Sequence, residues 1–194
     1  MDRHLEGKLV QIIRSNAWFM RGLETVAGCN LPNWCVGAGA LRNIVWDHLH
    51  GYTQPSYLAD VDVAFFDPSD LSPERDRALQ QQLTERAPDV PWEVTNQAGV
   101  HLWFAQYFGY PVEPLQSIQD AVATWPETAT SVAVRLTPSG DVDVIAPLGL
   151  DDLLAMVVRR NPRRVSVALY RQRIAEKQYL KRWPRVHRGN GVRS

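Results

Sequence analysis

The feature that most constrains this chain is the segment at residues 58–67, which reads LADVDVAFFD. Its apolar residues predict a strand that enters a hydrophobic core, yet Asp60 and Asp62 stand two positions apart within it. Side chains of a strand alternate between its two faces, so these carboxylates point the same way, with Cα atoms roughly 6.5–7 Å apart. Like charges aimed into one partly buried volume repel each other. This arrangement therefore predicts that a cation binds beside the two carboxylates.

The size and composition of the chain predict one domain, or one domain with a small appendage. Of its 194 residues, 45% are hydrophobic and 22% are charged, which is enough for a packed core. The N-terminus is charged and lacks the apolar segment of a signal peptide, and no apolar run of the chain approaches the length of a membrane span. Cys29 and Cys35 fit neither a disulfide framework nor a CxxC zinc site. These features predict a cytoplasmic protein with reduced thiols and no membrane partner.

Charge is divided unevenly along the chain. Residues 1–150 carry 9 Lys and Arg against 18 Asp and Glu, whereas residues 151–194 carry 12 against 3. A basic C-terminal segment is consistent with a nucleic-acid partner, and equally with helices whose cationic face is solvated. The predicted organisation is a core at residues 1–150, basic helices packed on it at 151–185, and a flexible tail at 186–194.

Hydrophobic spacing and punctuation residues predict the order of helices and strands. Helices are expected at residues 3–27, 40–51, from Ser72 to Pro88, 99–109, 117–125, from about 151, and 163–182. Short strands are expected at residues 34–39, 59–66 and 91–97, and in a hairpin around the turn at 137–141. This order predicts an α/β or α+β domain with a small mixed sheet covered by helices.

A glycine-containing turn between the first strand and the next helix is a second candidate element of a site. In VGAGALRN, residues 36–43, Gly37 and Gly39 would let backbone N–H groups approach a phosphate beside a helix N-terminus. Arg42 follows in the first turn of the helix and could add a bidentate phosphate contact. The alternative is that the glycines serve only the packing of the turn.

Glu93, in the strand expected at residues 91–97, supplies a third carboxylate. If this strand lies beside the acidic one, Glu93 joins Asp60 and Asp62 on the same face. Carboxylate oxygens suit Mg²⁺, and two such ions roughly 3.5–4 Å apart are a common device for phosphoryl displacement. A third carboxylate could bind the second ion or take the proton of an attacking hydroxyl. The alternative is a solvated strand surface.

Two further groups of polar residues complete the candidates. Asn96, Gln97 and His101 follow the third acid and could contact a base or a sugar, or serve as helix caps and packing residues. Asp141 and Asp143 repeat the Asp-Val-Asp string directly after a Pro-Ser-Gly turn. That position favours a role of Asp141 in the turn rather than in a metal site.

Taken together, these motifs resemble those of the DNA polymerase beta-like nucleotidyltransferase superfamily. The shared order is a glycine turn followed by Arg, an acidic pair in a strand, and a further acid in a later strand. The turn is similar to the GGxxR turn of CCA-adding enzymes, with Gly39 and Arg42 matching and Ala38 in place of the first glycine. Over about residues 5–185 the chain is similar to a group of bacterial nucleotidyltransferase-like proteins. The shared strings are AGxLRNxVWD, DxDVxFFD, WEVxNQAxVHxW, WPETAT, APxGLxDL and a C-terminal WP.

The resemblance implies a Mg²⁺-dependent nucleotidyltransferase, with Mn²⁺ as a substitute metal. Asp60, Asp62 and Glu93 would be the catalytic and metal-binding carboxylates, although Glu93 stands where many relatives have Asp. The glycine turn and Arg42 would face the triphosphate of an NTP such as ATP. The identity of the acceptor is left open between a small molecule, a protein and an RNA.

Two rival interpretations stay open from the sequence. A nucleotide-binding or regulatory protein of the same fold could have lost turnover, although three retained acids argue against it. Alternatively, the basic C-terminus could be an arm for a tRNA or another RNA acceptor, with Arg159, Arg160, Arg163 and Arg164 as its cations. The first predicts NTP binding without pyrophosphate release, and the second predicts RNA binding that weakens steeply with salt.

Overall fold

A five-stranded mixed sheet forms the centre of the structure, a computed structural model that describes residues 2–189. Its strands are β1 (Cys35–Gly37), β2 (Val61–Phe65), β3 (Trp92–Asn96), β4 (Ala133–Leu136) and β5 (Val142–Ile145). Their spatial order is β3-β2-β1-β4-β5, in which β2 and β3 are parallel and the other neighbouring pairs are antiparallel. The predicted small mixed sheet covered by helices is confirmed.

Helices cover both faces of this sheet. They are α1 (Arg3–Ser15), α2 (Ala17–Ala27), α3 (Ala38–His50), α4 (Pro73–Arg86), α5 (Val100–Phe108), α6 (Ile118–Val122), α7 (Asp151–Leu154), α8 (Val167–Lys177) and α9 (Tyr179–Arg182). Short 3-10 turns lie at Gln97–Gly99 and Thr128–Thr130. Two further strands, β6 (Val157–Val158) and β7 (His187–Arg188), form a separate parallel pair. Between residues 2 and 189, every helix is too short or too polar to cross a membrane.

The two faces of the sheet are buried in different hydrophobic clusters. Val36 and Val63 face the larger cluster, to which α1–α4, α8 and α9 contribute. Their strand neighbours Cys35 and Ala64 face the smaller cluster, to which α5 and α6 contribute. Because side chains alternate along a strand, Asp62 lies on the same side of β2 as Ala64. The acidic pair is therefore kept away from the larger core.

The single helix expected at residues 3–27 is two helices, because Asn16 interrupts it. The backbone of Asn16 is extended, with φ −98° and ψ 93°. Its side-chain oxygen accepts a hydrogen bond from the backbone N–H of Phe19 at 2.9 Å and so caps α2. Apolar residues continue at helical spacing across this break, and hydrophobic periodicity alone does not reveal it.

The C-terminal segment is less helical than its spacing predicts. The helix expected from about residue 151 ends after one turn, and the chain then enters β6. The helix expected at residues 163–182 begins at Val167 and breaks at Gln178, whose backbone is left-handed with φ 48°. In the segment expected as a flexible tail, residues 187–188 form β7. Residues 190–194 lie outside the described part of the chain.

Two aromatic residues of the C-terminal segment complete the larger core. Tyr179 and Trp183 are 1% and 0% exposed, and their rings pack edge-on against Trp46 of α3. The indole N–H of Trp183 donates to the Asp47 carboxylate at 2.7 Å. This packing ties α9 to α3, directly behind the glycine turn.

Candidate active site

A cavity of about 380 Å³ brings together the three carboxylates singled out in the sequence. The parallel pairing of β2 and β3 places Asp62 opposite Glu93 in register, so both side chains project from the same face. Asp60, directly before β2, lines the same cavity. The expectation of a shared face agrees with this geometry, while the catalytic roles of the three acids stay a prediction.

Burial and mutual repulsion act on these carboxylates. Burial raises the pKa of Asp62 to about 7, and the neighbouring charges of Asp60 and Glu93 act in the same direction. Burial, followed by the charge of Asp60, also raises the pKa of Glu93. Within residues 2–189, no Lys, Arg or His forms an ion pair with any of the three. A bound cation would favour their charged forms.

The donor set suits a hard divalent cation, although the side chains form no closed coordination shell. Among the residues that the structure describes, no three side chains of His, Cys, Asp or Glu lie in an arrangement that could already hold a metal ion. Mg²⁺ does not require such a cage, because it keeps several waters and combines one or two carboxylates with substrate phosphates. Asp60, Asp62 and Glu93 therefore fit a Mg²⁺ ion that binds together with a nucleotide.

Helix α8 supplies cations to the same cavity. Arg173 and Lys177 line it one helical turn apart, and both charges lower the pKa of Asp62. Arg173 is held by Glu127, which is 1% exposed and accepts a hydrogen bond from the Arg173 Nε at 2.6 Å. The half-buried Lys177 ammonium has no ion pair or hydrogen bond in the described part of the chain, so it is available to an anion. The excess of Lys and Arg after residue 150 indicated a basic segment, but it did not identify Arg173 and Lys177 as residues of the site.

The glycine turn joins β1 directly to α3 at the edge of the cavity. Gly37 is required by packing, because a Cβ there would lie 2.5 Å from the carbonyl oxygen of Val132. Gly39 lines the cavity, and a Cβ there would lie 4.0 Å from Asp60 Oδ1. Of the two glycines, Gly39 thus faces the carboxylates and Gly37 faces the neighbouring chain segment.

Arg42 lies in an aromatic box at the wall of the cavity. Its guanidinium carbon is 5.6, 4.8 and 5.4 Å from the ring centroids of Trp46, Tyr179 and Trp183. It donates hydrogen bonds to the Tyr179 hydroxyl at 3.2 Å and to Asn43 Oδ1 at 2.7 Å. The residue is 3% exposed, and its Nε has no hydrogen-bond partner among the described residues. These contacts anchor the C-terminal helices, whereas a role toward a triphosphate stays a prediction.

The three polar residues that follow Glu93 have different surroundings. Asn96 is 4% exposed, and its amide donates to the carbonyl oxygens of Asp67 and Asp70 at 2.8 and 2.9 Å. Gln97 lines the cavity. The half-buried His101 lies on α5, and its buried Nδ1 has no partner within residues 2–189. The structure brings Gln97 to the cavity, and neither Asn96 nor His101 is part of its lining.

The arginines considered as an RNA-binding arm already have partners within the chain. Each of them contacts an acidic side chain or a backbone carbonyl: Arg159, Arg160, Arg163 and Arg164. Arg164 also lines the cavity, with its guanidinium carbon 5.7 Å from the ring centroid of Phe104. Their engagement within the chain favours a structural role for most of this cluster.

Aromatic side chains form another part of the cavity lining. Trp103, Phe104 and Phe108 come from α5, and Trp125 follows α6. An apolar surface combined with a few charged groups is typical of small-molecule sites. These rings were not predicted as site residues from the sequence, because an aromatic helix of this kind is also typical of a hydrophobic core.

Comparisons with known proteins agree with this arrangement. A family model described as Nucleotidyltransferase matches residues 24–187. The chain is similar to an NMR structure described as a CCA-adding enzyme head domain, with 28% identity and a TM-score of 0.81 over 95% of this chain and 96% of that one. No curated protein matches the chain.

Two larger enzymes share the fold at lower identity. The Thermotoga maritima CCA-adding enzyme complexed with tRNA is 13% identical, with a TM-score of 0.53 over 89% of this chain and 38% of that one. A CCA-adding enzyme in complex with CTP is 12% identical, with a TM-score of 0.50 over 96% and 43%. This chain thus covers 38% and 43% of those two enzymes and nearly all of the head domain. The family match spans most of the chain and includes the glycine turn, all three carboxylates and α8, and the chain belongs to this nucleotidyltransferase family, a family of transferases with the polymerase beta-like fold.

Proposed function

We propose that this protein is a Mg²⁺-dependent nucleotidyltransferase that moves a nucleoside monophosphate from an NTP to an acceptor hydroxyl. The observation that carries the proposal is the pairing of Asp62 with Glu93 beside Asp60, in a cavity that also contains the unpaired Lys177. Carboxylates for a metal ion and a cation for phosphates are the groups that a metal–triphosphate complex needs in one place.

The reaction would exchange one bond at the α-phosphorus for another. The acceptor hydroxyl oxygen would bond to the α-phosphorus, while the bond to the bridging oxygen breaks and pyrophosphate leaves with its electron pair. Asp60 and Asp62 would hold Mg²⁺, or Mn²⁺ in its place, and the bound ion would neutralise charge on the phosphates. Glu93, which pairs in register with Asp62, would bind a second ion or accept the proton of the attacking hydroxyl.

The phosphates would be bound from two sides of the cavity. Gly39 stands at the N-terminus of the 13-residue α3, where backbone N–H groups and the helix dipole favour an anion. Lys177 would bind the pyrophosphate portion, since no internal partner has to be given up. Arg173 would add charge from a position held by Glu127. Arg42, which also lines the cavity, would add its charge toward the phosphates, and Gly37 would allow the close packing of the turn.

The proposal also concerns the nucleotide donor and the class of acceptor. A CCA-adding enzyme of similar fold is described with CTP and another with tRNA, which supports an NTP donor and keeps an RNA acceptor under consideration. A small molecule or a protein remains an equal candidate for the acceptor. The free cysteines Cys29 and Cys35 are consistent with a cytoplasmic location.

Labelled nucleotides test this proposal. The protein is incubated with each α-labelled NTP and Mg²⁺ in cell extract, and the labelled product is identified. We expect transfer to one class of acceptor with release of pyrophosphate, and loss of both in Asp62→Asn. Calorimetry that detects NTP binding, with no pyrophosphate release across varied acceptors, would instead favour a catalytically silent nucleotide-binding protein.

A further inference from the structure

Partly exposed aromatic rings of α5 line the cavity that contains the carboxylates. Trp103 is 37% exposed and Phe108 is 41% exposed, and both belong to the cavity lining. Aromatic surface clustered at a cavity marks a place where a ligand or partner covers it. Because the rings and the carboxylates share one cavity, the ligand that covers the rings is the one bound at the carboxylates.

These two rings are held in place by a buried neighbour. Phe104 is 9% exposed, and its ring centroid lies 4.4 Å from that of Phe108 and 6.3 Å from that of Trp103. The Arg164 guanidinium lies over the same Phe104 ring at 5.7 Å. A surface held in this way is preorganised, so a flat ligand binds it with little additional loss of side-chain freedom.

The size of the cavity limits where a nucleotide can lie. Its volume of about 380 Å³ is at the small end of ligand pockets. When the phosphates of a nucleotide lie near Lys177 and the carboxylates, the rest of the lining is the protein surface left for its base, and α5 supplies most of the aromatic part of that surface. Every nucleobase has a π-face that can stack on such rings.

Resting on the proposed function, we infer that Trp103 and Phe108 form the binding platform for the nucleobase of the donor NTP. The platform binds the base by stacking, separately from the phosphate-binding groups at Lys177 and Gly39. It therefore contributes to the affinity for a nucleotide and makes no contribution to the affinity for a ligand that lacks a base.

Calorimetry with two ligands tests this separation. ATP and inorganic tripolyphosphate, each with Mg²⁺, are titrated into the wild type, Trp103→Ala, Trp103→Phe and Leu102→Ala. Leu102 is the matched control, because it is 64% exposed on the same helix and is not part of the cavity lining. We expect Trp103→Ala to weaken ATP binding on the order of 10-fold, and Trp103→Phe to recover most of that loss. Leu102→Ala should match the wild type, and tripolyphosphate should bind equally to all four proteins.

Several results would overturn the inference. One is unchanged ATP affinity in Trp103→Ala, and another is an equal loss of affinity for ATP and tripolyphosphate, which would indicate a distorted phosphate site. If Trp103→Ala does not fold by circular dichroism, Phe108→Ala carries the same expectation and the same contradictions. ATP affinity that is unchanged in both Trp103→Ala and Phe108→Ala, while the wild type still binds ATP, would exclude the platform and leave the proposed function intact. A wild type that binds neither ligand would overturn the proposed function and this inference together.

Discussion

Two strands of the sheet carry the same Asp-Val-Asp string in opposite electrostatic settings. On β2, Asp62 pairs in register with Glu93 and faces a cavity. On β5, Asp143 pairs in register with Arg135, whose Nε lies 2.8 Å from the Asp143 carboxylate. Among the described residues, the first string therefore has no ion-pair partner and is open to a ligand, whereas Asp143 of the second string is neutralised by Arg135.

Asp60 and Asp141, the first aspartates of the two strings, also have different surroundings. Asp141 accepts a hydrogen bond from the Ser139 hydroxyl at 2.8 Å, donates its backbone N–H to the Thr137 hydroxyl, and lies 3.5 Å from Arg14. This agrees with the interpretation of Asp141 as a turn residue. Asp60 instead lines the cavity. The surroundings of each aspartate in the folded protein, rather than the tripeptide, therefore decide whether its carboxylate is available for chemistry.

The largest expected difference between the two strings is in catalysis. Asp62→Asn should lower turnover on the order of 100-fold or more, because one group that stabilises charge in the transition state is lost. Asp143→Asn should leave turnover nearly unchanged. Pyrophosphate release measured for both variants, after their folding is checked by circular dichroism, tests the contrast. Normal turnover in Asp62→Asn would remove the catalytic role of the first string.

The cations beside the two strings should also differ in their effect on nucleotide binding. Lys177→Met should weaken binding of Mg²⁺-bound ATP on the order of 10-fold, because a charge-assisted hydrogen bond is worth about 1.5–3 kcal/mol. Arg135→Met is the matched control, since Arg135 is already paired with Asp143. Dissociation constants from calorimetry provide the measurement. Equal losses of ATP affinity in the two variants would mean that Lys177 has no specific role in binding the nucleotide.

The stability of the metal-free protein should depend on pH through the first string. The folded-state pKa of Asp62 is raised to about 7, above the ordinary value of roughly 3.9. Between these values the folded state retains a proton that the unfolded state has lost, so stability falls as pH rises from about 4 to 7. In chelator we expect Tm to fall on the order of 5 °C across this range.

Two variants separate this pH effect from the rest of the protein. The fall in Tm should be reduced in Asp62→Asn and retained in Asp143→Asn, and added Mg²⁺ should reduce it in the wild type. Thermal melts at matched ionic strength measure Tm for the wild type with and without Mg²⁺ and for the two variants. An identical pH profile in Asp62→Asn would show that other groups cause the effect.

The smallest expected difference is in stability near neutral pH. Asp143→Asn should lower the free energy of unfolding by about 0.2–1 kcal/mol, because it removes a partly exposed ion pair. Asp62→Asn should raise it in the metal-free protein, because it removes a buried charge and, with it, the repulsion from Asp60 and Glu93. Urea unfolding in chelator measures the change in the free energy of unfolding for both variants. A loss of stability in Asp62→Asn would contradict the repulsion inferred for the first string.

Much of the fold was predictable because it follows local rules. Alternating apolar residues predicted β2, and α3 ends at His50, within one residue of the expected boundary, where the backbone of Gly51 is left-handed with φ 69°. The break at Asn16 and the turn at Gln178 were not predicted, because both interrupt stretches of continuous helical spacing. The β6–β7 pair was missed as well, since two-residue strands have no periodicity to detect.

The sequence by itself predicted that Asp60 and Asp62 point the same way, because side chains two positions apart in an extended segment do so. The motifs likewise indicated the family. Only the tertiary structure decided what each carboxylate faces, because the partners come from distant parts of the chain: Glu93 for Asp62, and Arg135 for Asp143. The same holds for Lys177, which α8 brings to the cavity from near the end of the chain. Charge interactions act through space over a few ångströms, so their sign at each acid was set by packing and strand register rather than by neighbouring residues in the sequence.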